Sequence, residues 1–255
     1  MKYKRAIVTP DKHFPLHDVG AINVVKKAIE KVKPTIYVDL GDTAEASSFS
    51  RFRWKNRKKP PLEYLIPQFD AELKLVNEGM DSIDESLDKI DCKERHFCQG
   101  NHELWMDEVY NEHNYLPQYK TENALKLKER GYKFHRAGKY LKIGKLYFYH
   151  GHHYGGQYHT ANHLRKLSAN IVYGHHHGVQ QMSATHIDGQ KSAWSLGCLK
   201  DCSSEKNKWL GGRPVDWGHA FAIIDFFDKG KFTLDLIRII DGKAMVWGEL
   251  IDGNV

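Results

Sequence analysis

The chain has 255 residues, of which 41% are apolar and 27% charged, and its formal net charge is +6. This is enough for one substantial core without disulfides, so we expect a single domain with its four cysteines reduced. Only Cys198 and Cys202 are closely spaced, which leaves a zinc site as the less favoured alternative. No apolar run approaches the roughly 20 residues of a membrane helix, and the first residues lack a signal-peptide core. We therefore expect a soluble, cytoplasmic protein with no membrane partner.

The first part of the chain predicts strands that alternate with helices. Arg5 to Thr9 reads as a buried strand, Asp18 to Lys31 as a helix and Thr35 to Leu40 as a second strand. This order is typical of a parallel crossover, whose functional groups emerge at the carboxyl ends of the strands. Asp11 and Asp42 follow these two strands, so we expect both carboxylates at the same edge of the sheet.

A long amphipathic helix is predicted from Phe69 to Leu87, because its apolar residues recur at spacings of four and three. We expect this helix to pack on the sheet. The alternative is that its apolar stripe pairs with a second subunit, which would make the protein a homo-oligomer. Further on, the pattern predicts strands over residues 94–98, 146–149 and 171–173 and a helix over 157–167.

The last third of the chain is rich in short β-forming runs separated by turns. Strands are predicted over residues 181–186, 191–196, 220–227, 231–240 and 244–250, with antiparallel hairpins between them. The expected fold class is α/β, a four-layer αββα sandwich of two mixed sheets flanked by helices. One sheet is expected from the first half of the chain and the other from its end.

Five short motifs rich in metal-ligand residue types follow the predicted strands. In chain order they are Asp11-Lys12-His13, Gly41-Asp42-Thr43-Ala44-Glu45, Gly100-Asn101-His102-Glu103, His150-Gly151-His152 and Gly174-His175-His176-His177. Each motif alone is more often an ordinary cap or turn, but their joint order and spacing favour two metal ions. A carboxylate directly after Gly41 suits the bridging of two ions. Donors of carboxylate, amide and imidazole type suit Mn, Fe, Zn, Co or Ni.

These motifs resemble the calcineurin-like metallophosphoesterase superfamily, whose pattern is Asp-x-His, Gly-Asp-x-x-Asp, Gly-Asn-His-Asp/Glu, His and Gly-His-x-His. The resemblance spans Asp11 to His177 and implies one such domain over residues 1–255, with a basic and helical insert at about 46–90. It also implies two divalent ions, for which manganese is favoured. The first ion would be held by Asp11, His13, Asp42 and His177, and the second by Asp42, Asn101, His150 and His175. The family's ligand is usually the first histidine after an apolar strand, which favours His150 over His152.

The resemblance implies a reaction as well. In the family, the histidine of Gly-Asn-His hydrogen-bonds the scissile phosphate and protonates the leaving group, a role that falls to His102. Its usual partner is the second acid of Gly-Asp-x-x-Asp, and this sequence departs from the pattern by having Glu45 there. The implied activity is hydrolysis of a phosphate ester by in-line attack of a hydroxide that bridges the metals.

The substrate class depends on residues outside the motifs. The segment from Arg51 to Lys59 has six cations in nine residues with two aromatic residues interleaved. Within it, Arg51, Arg53 and Trp54 are candidate substrate contacts, because cations attract phosphates and aromatic rings stack on bases. The alternatives are a solvated insert and an oligomer contact. A second candidate wall of the site runs from Cys198 to Trp217.

We therefore favour a metal-dependent phosphoric ester hydrolase that acts on a phosphodiester or a nucleic-acid-related substrate. A phosphomonoesterase acting on phosphoproteins or small molecules shares all of these motifs and is the first alternative. A nonenzymatic protein that binds nucleic acid, or serves as a scaffold on this fold, is the alternative of another class.

Overall fold

The computed structural model describes residues 3–255 of the chain. Its α-helices are α1 (Val19–Val32), α2 (Arg51–Trp54), α3 (Leu62–Lys89), α4 (Asn101–Glu112), α5 (Thr121–Ala124) and α6 (His159–Leu167). Its strands are β1 (Lys4–Thr9), β2 (Ile36–Asp39), β3 (Glu94–Cys98), β4 (Tyr132–His135), β5 (Leu141–Ile143), β6 (Leu146–Phe148), β7 (Ile171–Tyr173), β8 (Val179–His186), β9 (Gly189–Leu196), β10 (His219–Phe226), β11 (Phe232–Ile239), β12 (Lys243–Val246) and β13 (Glu249–Asp252). Within the described residues, no helix combines the length and the apolar character needed to cross a membrane.

The strands form two large mixed sheets and a small hairpin. In the first sheet the order is β11-β10-β1-β2-β3-β4, and in the second it is β5-β6-β7-β9-β8. The neighbours from β1 to β4 run parallel, whereas β10 and β11 are antiparallel. In the second sheet β6, β7 and β9 are parallel, and β5 and β8 run antiparallel at the two edges. Strands β12 and β13 form a separate two-stranded antiparallel sheet.

Three apolar layers hold the sheets and helices together. Successive residues of β1 lie on opposite faces of the sheet, so that Ile7 contacts the helices while Val8 points to the second sheet. The layer between the sheets includes Val38 and Phe148. On the outer face of the second sheet, Leu164 of α6 packs with the buried residues of β7. This arrangement confirms the α/β class and the sandwich of two sheets with helices outside both.

Local sequence accounts for the element boundaries near the site. The carboxylate of Asp18 accepts a hydrogen bond from the Ala21 amide at 2.7 Å and caps the start of α1. The helix ends at Lys33, whose φ of 48° is left-handed. Strand β2 is a short apolar run buried on both faces, as is typical of a parallel strand in the centre of a sheet.

Two parts of the expected topology were wrong. Strands β10 and β11 do not join the second sheet but extend the first, because β10 pairs antiparallel with the free edge of β1, with Ile7 opposite Ile223. The strand expected over residues 244–250 is instead the β12–β13 hairpin. Its turn is formed by Trp247 and Gly248, with φ values of 54° and 79°. Helix α4 and strands β4 and β5 were not predicted.

Helix α3 begins earlier than predicted, at Leu62, and its apolar stripe faces the core of its own chain. Val76 and Met80 are buried in the same apolar cluster as α1. Gly79 permits a close approach there, because a β-carbon at this position would lie 2.5 Å from the Phe14 ring. The stripe is thus explained without a second subunit, and a homo-oligomer stays a prediction.

The single domain over residues 1–255 and its insert at about 46–90 stay predictions as well, and residues 1 and 2 lie outside the described part. The predicted insert would contain α2 and all of α3. Since α3 packs into the main core, only the segment around α2 projects as an addition to the sandwich.

Phe148 should be a strong test of the core between the sheets, because its side chain is fully buried there. We expect Phe148→Ala to lower the free energy of unfolding by about 3–5 kcal/mol, through lost burial and the cavity that remains. Urea unfolding followed by circular dichroism measures this change. The control is Ile187→Ala in an exposed turn, for which we expect a change within about 0.5 kcal/mol. Equal effects of the two substitutions would contradict the sandwich packing.

Candidate metal centre

All five motifs reach one edge of the sandwich. They follow β1, β2 and β3 of the first sheet and β6 and β7 of the second, where the carboxyl ends of parallel strands meet. The structure brings the seven predicted ligands together in two groups. The first contains Asp11, His13 and His177, and the second contains Asp42, Asn101, His150 and His175.

In the first group, two imidazoles and a carboxylate converge. The Nε2 atoms of His13 and His177 are 3.1 Å apart, and Asp11 Oδ2 lies 3.4 Å from His177 Nε2 and 4.0 Å from His13 Nε2. The backbone amide of His175 donates to Asp11 at 2.9 Å and fixes the carboxylate. Burial opposes charge on Asp11, but the hydrogen bond with His177 lowers its pKa to about 2. Burial lowers the pKa of His13 to about 4, so its ring is neutral and offers a lone pair.

The second group is arranged around His150. Its Nδ1 lies 3.0 Å from the Leu40 carbonyl oxygen, which only accepts, so Nδ1 carries the hydrogen. The Nε2 lone pair of a neutral ring then faces Asp42 Oδ2 at 3.2 Å, Asn101 Oδ1 at 2.9 Å and His175 Nδ1 at 3.2 Å. Lone pairs that face one another repel unless a proton or a metal ion lies between them. Without metal, a proton on His150 Nε2 has this role. Burial opposes this protonation, but Asp42 raises the pKa of His150 to about 10.

This donor set fits the two divalent ions that the sequence implies. Within each group the donor atoms of the side chains that carry carboxylate or imidazole groups lie within 4.8 Å of one another, and nearly all are buried. A divalent cation would balance the charge of the buried carboxylates and accept the lone pairs of the imidazoles. The ring of His152 lies outside both groups, with its centroid 5.7 Å from that of His150.

The backbone of the predicted ligands is strained. His13, Asp42, His175 and His177 have φ values of 52°, 47°, 67° and 59°, which are left-handed. Such conformations cost about 1–3 kcal/mol each in a residue with a side chain and persist only where the surrounding structure requires them. The left-handed turns at His175 and His177 let two side chains of one short loop enter different groups.

Two glycines are required beside the carboxylates. A β-carbon at Gly100 would lie 2.2 Å from Asp42 Oδ1, and one at Gly174 would lie 2.0 Å from Asp11 Oδ1. No other residue fits at these distances. The motif glycines thus allow the loops to approach the carboxylates closely enough for backbone amides to bind them.

Glu103, for which no separate role was predicted from the sequence, joins two of the loops. Its carboxylate accepts hydrogen bonds from the backbone amides of Asp42, Thr43, Ala44 and Gly100 at 2.8–3.1 Å. The side chain is fully buried in the first turn of α4. The same turn donates the His102 amide to Asp42 Oδ1 at 2.9 Å. The acidic position at the end of Gly-Asn-His-Glu, at the start of a helix, is the sequence signal that could have indicated this role.

Beneath the centre lies a buried ion pair that the sequence did not indicate. The Lys12 ammonium is 2.7 Å from Asp39 Oδ2, and both side chains are almost fully buried. Asp39 also accepts hydrogen bonds from the Thr43 hydroxyl and the Gly41 amide. The pair therefore connects the loop after β1 with the loop after β2.

His102 lies at the centre, but its contact with Glu45 differs from the expected one. His102 Nδ1 donates to the backbone carbonyl of Glu45 at 2.5 Å, and not to its carboxylate. The longer Glu45 side chain turns to His13 Nδ1 at 2.8 Å and to Lys200 Nζ at 3.0 Å. Burial opposes charge on Glu45, but His13 and then Lys200 lower its pKa to about 2. The carboxylate thus orients a predicted ligand, while the main chain orients His102.

The centre opens into a cleft of about 840 Å³ with aromatic and cationic walls. One aromatic pair, Phe52 and Trp105, adjoins His102, whose ring lies 4.1 Å from that of Trp105. A second pair, Trp209 and Trp217, adjoins His177, whose ring lies 4.7 Å from that of Trp217. Cations line the cleft as well, namely Arg53, Arg57 and Lys200. The loop expected as a second wall therefore does reach the site.

Of the three candidate substrate contacts, only Arg53 lines the cleft. Arg51 points away and forms a bidentate ion pair with Glu108. Trp54 packs against the core and donates its indole N–H to the Ser48 carbonyl at 3.0 Å. The helical turn explains the difference, because Arg51 and Trp54 are three residues apart and share one face of α2, whereas Arg53 lies on another. Phe52 and Arg57 also line the cleft.

Comparison with known proteins bears on the fold. No protein-family model matches the sequence, and no curated protein matches it. Among solved structures, vacuolar protein sorting 29 from Cryptosporidium parvum is similar, with 12% identity and a TM-score of 0.50 over 99% of this chain and 100% of that one. Vps29 from Chaetomium thermophilum has the same identity and TM-score over 97% of each chain. With its αββα sandwich and this likeness, the chain has the calcineurin-like metallophosphoesterase fold.

Proposed function

We propose that this protein is a dimetal-dependent phosphoesterase that acts on a phosphodiester or a nucleic-acid-related substrate. The observation that carries the proposal is the convergence of two groups of lone-pair donors at the base of a cleft lined by cations and aromatic rings. The first ion is assigned to Asp11, His13, Asp42 and His177. The second is assigned to Asp42, Asn101, His150 and His175, so that Asp42 bridges the pair.

Two bound divalent ions would supply an activated water at neutral pH and would offset negative charge on the phosphoryl oxygens. The resemblance favours manganese, and the oxygen and nitrogen donors suit it, as they suit Fe, Zn, Co or Ni. The protein contributes the geometry. Asp11 and Asp42 are each fixed by a backbone amide, and Glu45 fixes the ring of His13. Ligands fixed in this way need no reorganisation when the ions bind.

His102 is proposed to act on the substrate and not on the metals. Because its Nδ1 donates to the Glu45 carbonyl, Nε2 is the atom free to exchange a proton with a leaving group or to bind a phosphoryl oxygen. The ring lies against that of Trp105, with the centroids 4.1 Å apart and the planes tilted by 36°, which limits its rotation. Nε2 lies 3.8 Å from Asp42 Oδ2, so a substrate atom that contacts Nε2 would also be close to the predicted metal centre.

The walls of the cleft favour a substrate with both bases and phosphates. Phe52 and Trp209 are 74% and 67% exposed and offer ring faces on which bases can stack. Arg53 and Arg57 offer charge for phosphates on the same side as Phe52. A small phosphomonoester would not use these groups, so they favour the phosphodiester over the alternative.

The bridging carboxylate provides the first test. We expect Asp42→Asn to lower manganese-dependent turnover by at least about 100-fold, because a weakened ligand removes charge from both ions. Hydrolysis of a chromogenic phosphodiester and of its monoester counterpart measures this. The matched control is Asp188→Asn, an exposed carboxylate in the β8–β9 turn, which should retain full turnover. Absence of turnover of both esters by the wild-type protein, or equal turnover by the two variants, would sink the proposal.

His102 provides the second test. We expect His102→Ala to retain both ions and to lose about 10²–10⁴-fold in turnover on esters with poor leaving groups, with a smaller loss on good ones. Metal analysis of the purified variant and a leaving-group series measure the two effects. His113→Ala, at the far end of α4, is the control. Loss of metal from His102→Ala would mean that the residue is a ligand and not a proton donor.

The cleft cations provide the third test. In an Asp42→Asn background that prevents cleavage, we expect Arg53→Ala with Arg57→Ala to weaken binding of a single-stranded oligonucleotide. The slope of log affinity against log salt should fall by about 0.7 for each lost phosphate contact. Arg51→Ala is a matched control, since its guanidinium is already paired with Glu108. An unchanged salt slope in the double variant would exclude a nucleic-acid role for these cations.

A further inference from the structure

A second cluster of metal-ligand side chains lies outside the predicted centre. Cys198 follows β9 and His219 begins β10, and the two positions are joined by a hydrogen bond from the Cys198 amide to the Gly218 carbonyl. Cys202 comes from the loop between these strands. The Sγ and Nε2 atoms of the three side chains all lie within 4.8 Å of one another. The sequence brings only the two cysteines together, so His219 is added by the fold.

The spacing of the donor atoms matches one metal ion. The two Sγ atoms are 3.7 Å apart, and Cys202 Sγ is 3.3 Å from His219 Nε2. Zinc binds thiolate at about 2.3 Å and imidazole at about 2.0–2.1 Å, so ligand atoms of a tetrahedral site lie about 3.5–3.8 Å apart. A disulfide would require about 2.05 Å between the sulfur atoms. The cluster therefore contains two reduced thiols, whose separation is that of two ligands of one metal ion.

The chemistry of the cluster points to a different metal from that of the predicted centre. Thiolates are soft ligands that select zinc, whereas the centre at the sheet edge has none. Two thiolates neutralise one Zn²⁺, which suits a site where Cys198 is fully buried.

We infer that Cys198, Cys202 and His219 form a third metal site, which takes a structural zinc ion and fixes the loop that walls the cleft. Binding of Zn²⁺ releases the thiol protons of Cys198 and Cys202. The hydrogen that His219 Nε2 donates to the Lys200 carbonyl oxygen over 2.8 Å would move to Nδ1, so that the Nε2 lone pair binds zinc. The same carbonyl oxygen lies 3.3 Å from Cys202 Sγ.

The position of the site explains why such an ion would matter. Lys200, between the two cysteines, binds the carboxylate of Glu45. Trp209 and Trp217, farther along the same loop, line the cleft. The loop has only a single 3₁₀ turn, Lys208–Leu210, as regular structure between β9 and β10. A zinc ion at the base of this loop would hold one wall of the cleft against the strands. This structural role would be additional to the proposed catalytic function.

Cobalt can report on this site alone. The full-length reduced protein is titrated with Co²⁺, and the thiolate-to-cobalt charge-transfer band is recorded in the near ultraviolet. The predicted dimetal centre offers no thiolate and gives no such band. We expect the wild-type protein to develop the band as Co²⁺ is added and to lose it when Zn²⁺ is added. A wild-type protein without the band, or with a band that Zn²⁺ leaves unchanged, would overturn the inference.

Variants separate this site from the rest of the molecule. Cys202→Ser should lose the band and bind one zinc ion fewer. The control is Cys92→Ser, which alters a buried thiol in the core that contains α1 and α3, and it should retain the band and the zinc ion. Retention of the band by Cys202→Ser would overturn the inference, as would a Cys198–Cys202 disulfide in place of metal uptake by the reduced protein. Asp42→Asn should retain the band, so that failure of the proposed phosphoesterase function is distinguished from failure of this site.

A second measurement does not depend on cobalt. Amide hydrogen exchange over residues 201–217 should slow when zinc is added to the wild-type protein, because the ion fixes the base of the loop. The same addition should leave the exchange of Cys202→Ser unchanged. Equal responses in the two proteins would mean that zinc does not order the loop through this cluster.

Discussion

The arrangement of the predicted centre depends on one buried carboxylate. Glu103 accepts hydrogen bonds from four backbone amides, three in the loop after β2 and one in the loop after β3. These amides would otherwise be buried without partners, which costs about 1–3 kcal/mol each. Because the loops are joined at this point, Asp42 and the start of α4 have a fixed relative position. The geometry of both donor groups follows from that constraint.

The rest of the centre is balanced against the charge concentrated there. Asp11 and Asp42 are buried near four imidazoles, and the Lys12–Asp39 pair lies beneath them. The left-handed backbone of His13 and His177 stores strain that the surrounding sheets must support. This strained geometry fits the proposed role of the centre in binding cations. The close approach of Gly100 and Gly174 to the carboxylates serves the same end.

Much of the fold could be predicted from hydrophobic periodicity. The strands from Lys4, Glu94 and Ile171 and the helix that begins after Asp18 agree with the predictions to within a residue or two. Membership of the sheets could not be predicted, because β10 is apolar on both faces and would suit either sheet. Strand β10 pairs with the free edge of β1, and this edge exists only in the assembled sheet. The short strands β4 and β5 carry too little pattern to be recognised.

The sequence by itself determined the ligand types, their order and their position after strands, because these are local properties of motifs and periodicity. The tertiary structure alone decided the contacts that individual oxygen and nitrogen atoms make. Glu45 reaches His13 and Lys200 instead of His102, since one additional methylene changes the reach of its carboxylate. Arg51 is turned to Glu108 by the pitch of a helical turn. His219 meets the two cysteines because isolated bridges join residues 197 and 198, after β9, to the start of β10 in the other sheet, a long-range contact that no local pattern encodes.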